Sequence, residues 1–138
     1  MRLVVDANVV LLALIADSKS RELIVMLEPT LLTPAVVHEE VAAHEDLVVE
    51  KSGMDADRVE QFLELLFDHI ETVPVSTFSQ HIEQAEAAIG ETDPDDVLYL
   101  ACALGRDAGV WSDDSDFEVQ DLVPVFTTDE VVDSFDTV

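Results

Sequence analysis

Short apolar runs alternate in this chain with longer stretches whose apolar residues recur at helical spacing, and that alternation limits the folds open to it. Residues 2–5 (RLVV) form the first run and stop at Asp6. Residues 9–16 and 20–27 have helical spacing, with Asp17 and Ser18 between them as break and N-cap candidates. Residues 31–33 read as a second strand, and Pro34 is expected to open a helix through AVVHEEVAAHE. Residues 48–57 look like a polar connection. Asp55 then caps a helix from Ala56 to about Ile70, whose Val59, Phe62, Leu63, Leu66, Phe67 and Ile70 make an apolar stripe. TVPV (72–75) reads as a third strand, Ser76 as the cap of a helix through Ala88, and Gly90 as its end. A further helix starts near Asp93-Pro94 and runs to Arg106. Residues 109–112 are a fourth strand and 123–126 a fifth. Short apolar strands alternating with helices call for an α/β fold of three layers, α/β/α, around a central parallel sheet of four to five strands. No repeat or compositional break divides residues 1–138, so a single domain is expected.

Charge sets the chain apart from ordinary domains. Asp and Glu number 31 against 6 Lys and Arg in 138 residues, a formal net charge of −25. Hydrophobic residues at 49% argue for a packed core rather than an acidic disordered tail. Self-repulsion of this size is tolerable where the Debye length is ~3 Å, at molar salt, so the composition is of the haloarchaeal type. The longest apolar run, 9–16, is too short to span a bilayer, and no signal peptide is evident; no membrane association and a cytoplasmic location are expected. Cys102, alone in YLACAL, is expected to be a buried thiol.

In an open parallel sheet, functional side chains gather at the carboxyl ends of the strands, where strand order reverses. Asp6 follows the first strand with Asn8 beside it, Asp114 follows the fourth, and Glu40 lies on the helix after the second. Asp93 and Asp96, three apart, project from one face of a first helical turn, and Asp116 follows Asp114 by two. Carboxylate oxygens suit Mg2+ or Mn2+, and packed like charges are costly until a cation neutralises them. Most of 31 acids must be solvated surface charges, and Asp93, Asp96 and Asp116 could simply cap helices. Asp6 differs, being embedded between LVV and a long apolar helix where a solvating carboxylate is poorly accommodated.

The segments VVDANVV, TPAVVHEEV, DPDDVLYLACAL and WSDDSDF, in that order, resemble the PIN domain, a small α/β fold of Mg2+- or Mn2+-dependent ribonucleases, over nearly the whole chain. The resemblance implies that Asp6, Glu40, Asp96 and Asp114 are the catalytic, metal-holding acids. Asn8, Asp93, Ser112 and Asp116 would support them, and the choice among Asp113, Asp114 and Asp116 as fourth acid stays open. It also implies an endoribonuclease that cleaves RNA by metal-activated water, with no covalent enzyme intermediate. Like VapC-type toxins it could be one half of a toxin-antitoxin pair, with a cognate antitoxin and a homodimer as expected partners. With so few cations, counterion release can contribute little to RNA binding, which leaves metal bridging, salt screening and a groove between two copies in a dimer.

Other readings fit less well. Receiver or haloacid-dehalogenase-like phosphotransfer domains need a lysine after a late strand, and none follows Lys51. His38-Glu39 is followed by Ala42 where a zinc protease needs histidine, so His38, His44, His69 and His81 are expected on helix surfaces. The alternative of another class is a catalytically silent PIN-like module that binds RNA or protein. A cluster of mutually repelling acids would serve no purpose there.

Overall fold

A computed structural model describes residues 2–15, 19–26 and 30–136. Strands β1 (Leu3–Val5), β2 (Leu31–Pro34), β3 (Glu71–Val73), β4 (Gly109–Trp111) and β5 (Val125–Phe126) form one all-parallel sheet in the order β3-β2-β1-β4-β5. β1, β2 and β4 are buried throughout, so their residues read as unbroken apolar runs rather than as alternating patterns. Helices α1 (Ala7–Ile15) and α2 (Lys19–Met26) connect β1 to β2, and α3 (Val37–Ala43), α4 (Glu45–Ser52) and α5 (Ala56–Phe67) connect β2 to β3. The chain then reverses across the sheet through α6 (Ile82–Ile89) and α7 (Val97–Arg106) to β4. Right-handed crossovers running in opposite directions put the two helix sets on opposite faces, which gives the expected three layers. α7 packs on β1 and β2 with α6 against it, while α1 packs with α2, α4 and α5. The reversal falls between β1 and β4, and a crevice opens there at the carboxyl edge of the sheet.

Several boundaries differ from the sequence expectation. Pro34 does not open a helix; it is the last residue of β2, in register with Val73. In the β1–β2 ladder the next hydrogen bond to the Val5 carbonyl would fall to the N–H of residue 34, which proline lacks. The Thr33 hydroxyl donates to that carbonyl instead, at 3.0 Å, from a fully buried position. Residues 48–52, expected in a polar connection, belong to α4, because Val48 is a core residue and Lys51 is in the last helical turn. The helix ends at Gly53, in the left-handed region at φ 75°. Asp55 caps α5 as expected, accepting from the Arg58 N–H at 2.8 Å, but the helix stops at Phe67 rather than Ile70.

Ser76 caps nothing. Two 3-10 turns, Val75–Thr77 and Ser79–His81, precede α6, and between them Phe78 leaves helical geometry at φ −131° to bury its ring. α7 packs tightly there: a Cβ on Gly105 would lie 2.7 Å from that of Phe78. The third strand ends at Val73 and the fifth begins only at Val125. Asp17 and Ser18 lie outside the described residues. An eighth helix, α8 (Thr128–Asp136), was not expected from the sequence. It opens with a reciprocal cap, in which the Glu130 N–H donates to Thr127 Oγ1 and the Thr127 N–H to Glu130 Oε1, both at 3.2 Å. Cys102 is buried as expected, and burial pushes its thiol up to about 12. His38 and His44 are exposed, whereas His69 and His81 are half-buried in turns outside the α-helices. Among the described residues, no helix is long and apolar enough to cross a membrane.

Candidate metal centre

Each acid reaches the crevice by a different route. β1 ends at Val5, and Asp6 turns the chain into α1 with its backbone N–H donating across the strand reversal to the Trp111 carbonyl at 3.1 Å. Its side chain is only 3% exposed. Ser112, just beyond β4 and 1% exposed, donates its hydroxyl to Asp6 Oδ2 at 2.7 Å and accepts the Asp114 N–H at 3.0 Å. One hydroxyl therefore joins the first acid to the loop that carries the last. Burial raises the Asp6 pKa above the usual carboxylate range; the Ser112 bond and the backbone N–H groups of Asn8 and Ala7 oppose the rise, while the charge of Asp114 adds to it.

Asp93 and Asp114 play similar local parts. Asp93 accepts the Asp95 N–H at 3.0 Å at the start of the 3-10 turn Pro94–Asp96, and Asp114 accepts the Asp116 N–H at 2.9 Å at the start of the turn Ser115–Val119. Capping and clustering coexist here. One carboxylate oxygen from each of Asp93, Asp96, Asp114 and Asp116 falls within 4.8 Å of all the others. Asp96 is the buried member at 6% exposed, and its Oδ2 is a buried oxygen with no hydrogen-bond partner. Desolvation, the charge of Asp6, a hydrogen bond that protonated Asp96 donates to Asp93, the charge of Asp93 and the charge of Asp114 push its carboxyl up to about 8. The charge of Asp114, above all, raises Asp116 as well.

A carboxyl oxygen buried without a hydrogen-bond partner, among three further carboxylates, is costly as it stands and matches the oxygen-only ligand set of a hard divalent cation. The residues present therefore fit such an ion. Asp6 and Glu40 lie beside this group rather than within it: both feel its charges, but neither is among the four convergent acids. Glu40, half-buried on α3, accepts a hydrogen bond at Oε2 from the Tyr99 hydroxyl at 3.0 Å. Burial raises its pKa, the Tyr99 bond lowers it, and Asp6, Asp95 and Asp93 raise it further. Tyr99 itself, desolvated and facing Glu40, is raised above the ordinary phenol range and stays a donor. Asn8, exposed in the first turn of α1, gives its backbone N–H to Asp6.

Asp113 faces elsewhere. Its two oxygens accept the Thr128 N–H and Thr128 hydroxyl, each at 2.7 Å, and Trp111 Nε1 donates to the same hydroxyl at 3.1 Å. It fastens α8 to the end of β4, whereas Asp114 and Asp116 turn to the cluster. Sequence reasoning missed two residues around the site, Tyr99 and Thr33. A lone tyrosine inside an apolar helical run was the available signal, since a buried phenol needs a partner. The threonine before a strand-ending proline carried no comparable mark.

No curated protein matches this sequence. The family description that does match, "PIN domain", covers residues 4–135. PIN domains are generally nucleases that use divalent metal, and the cluster of Asp93, Asp96, Asp114 and Asp116 is compatible with holding one. With the match spanning nearly the whole sequence, this chain belongs to the PIN-domain family.

Proposed function

We propose that the protein is an endoribonuclease that hydrolyses RNA phosphodiester bonds with Mg2+ or Mn2+ as cofactor. The observation that carries this reading is the partnerless buried oxygen of Asp96 amid Asp93, Asp114 and Asp116. RNA as substrate rests on the likeness to PIN-domain ribonucleases. A divalent cation held by these four acids would offset part of their charge, polarise a phosphodiester oxygen and make an adjacent water more acidic. The chain's own residues do the rest. Ser112 fixes Asp6 and the Asp114 loop as one unit, so these two carboxylates keep their spacing when charge changes in the crevice. Glu40, outside the four-acid group and held by Tyr99, would orient a water and accept its proton.

Among the described residues, Arg2, Arg21 and Arg106 are engaged away from the acid cluster. Arg2 donates to the Arg106 carbonyl at 3.0 Å and Arg106 pairs with Glu71 at 3.2 Å, both at the amino-terminal edge of the sheet. Arg21 donates to the Ala13 carbonyl at 2.9 Å and stacks over Phe62 at 4.4 Å. RNA binding therefore relies on the cation in the crevice and on salt that screens the −25 charge, in keeping with a protein adapted to concentrated salt.

The test is cleavage of a broad RNA panel in ~1–3 M KCl with Mn2+ or Mg2+, comparing wild type with Asp96→Asn. Cleavage by the wild type, abolished by chelator and by Asp96→Asn, is expected. If a folded, Mn2+-binding wild type leaves every RNA intact, the reading gives way to a PIN-like module that binds without cutting.

A further inference from the structure

Glu40 stands where it should not stay. It projects from α3 on a side chain with three rotatable bonds, is half-buried, and is repelled by Asp6, Asp93 and Asp95. Left to electrostatics alone, it would swing outward to water, where its charge is better solvated. The group that opposes this is Tyr99, from α7. The phenol lies one turn after Asp96, its residue is fully buried at 0% exposed, and its hydroxyl reaches Glu40 Oε2 at 3.0 Å. A bond between a neutral donor and a carboxylate is stronger than one between neutral groups. The ring, packed on all sides, cannot follow Glu40 if that residue moves.

We propose that Tyr99 is a positioning residue, tethering Glu40 through Oε2 beside the four-acid cluster against the repulsion of the neighbouring carboxylates and leaving Oε1 as the oxygen that acts on water. This rests on the hydrolytic reading given above. The tether joins α3 to α7, so the acid that follows β2 is held in place by the helix that begins just after Asp96. It also separates two tasks: Asp93, Asp96, Asp114 and Asp116 converge on a cation, while Glu40 is fixed outside that group.

Tyr99→Phe tests the tether, because it keeps the buried ring and removes only the hydroxyl. Mn2+ affinity, measured by calorimetry on the folded protein in molar KCl, is expected to stay within about twofold of wild type. RNA cleavage is expected to lose about tenfold or more in kcat with KM little changed. If Tyr99 acts only through Glu40, the double variant Tyr99→Phe/Glu40→Gln cleaves as slowly as Glu40→Gln alone. A full kcat in Tyr99→Phe overturns the proposal, and so does a double variant in which the two losses multiply. The position of Glu40 gives a readout independent of cleavage. In crystal structures of wild type and Tyr99→Phe, the carboxylate is expected to leave its place when the hydroxyl is gone. If the wild type cleaves no RNA, the nuclease reading falls and the crystal structures alone judge the tether: a Glu40 that stays put without the phenol refutes it.

Discussion

Asp96→Asn should make the metal-free protein more stable while removing its response to metal. In the folded chain the Asp96 carboxyl is pushed up from 3.8 to about 8, first by burial and then by Asp6, Asp93 and Asp114. In the unfolded chain it ionises near 4. A raised folded pKa means that the contribution to stability is complete below about pH 4 and drains away as pH climbs to about 8. Across the roughly three pH units from 4 to 7, the unfolded chain ionises while the folded side chain holds its proton, a loss on the order of 4 kcal/mol. Asparagine keeps the shape and does not titrate. In a chain of 138 residues such a gain corresponds to a melting temperature higher by on the order of 10 °C. The assay is thermal unfolding in molar KCl with EDTA from pH 5 to 9, repeated with Mn2+. Wild type should lose stability between pH 5 and 8, and Asp96→Asn should show a flatter profile above it. Mn2+ at a hundred times its dissociation constant should return about 2.7 kcal/mol to the wild type and little to the variant. A variant that melts at or below wild type in EDTA with the same pH slope, or one that Mn2+ stabilises equally, would refute the claim that this carboxylate is strained for the sake of a cation.

Three further substitutions probe the frame around the cluster. Ser112→Ala removes the donor to Asp6 and the acceptor for the Asp114 N–H together; a stability loss of about 1–3 kcal/mol in urea unfolding and a fall of about 10- to 100-fold in metal-dependent cleavage are expected. Asp113→Ala should cost about 0.5–2 kcal/mol by releasing the Thr128 N–H and hydroxyl, and should also weaken Mn2+ binding by loosening the segment that carries Asp114 and Asp116, which calorimetry would show. Thr33→Val leaves the Val5 carbonyl unpaired in the core, and a loss of about 1–3 kcal/mol in denaturant unfolding is expected; an unchanged midpoint would mean that another donor takes over.

The sequence exposed the sheet more readily than the turns that finish it. Strands buried on both faces leave unbroken apolar runs, so β1, β2 and β4 are visible without a structure, and right-handed connections then constrain the layers. Pro34 misled because a proline near a helix start usually belongs to the first turn, and only the register with Val73 and the Thr33 hydroxyl reveal a strand ending in place of one. Ser76 misled for a tertiary reason, the burial of Phe78, which breaks the helix its neighbours would support. Within the site, all six acids singled out near the carboxyl edge do meet there electrostatically, but spacing alone could not divide them. Four converge to within 4.8 Å, whereas Asp6 is bound to Ser112 and Glu40 to Tyr99. That division depends on side-chain partners distant in sequence, which periodicity does not encode.

The neighbours Asp113 and Asp114 give the terminal helix a bearing on the crevice. One carboxylate is latched to Thr128 and the next belongs to the acid cluster, with no residue between them to absorb slack. Anything that pries the last helix from the sheet pulls directly on the segment carrying Asp114 and Asp116, so the grip on a cation and the seating of that helix should loosen together.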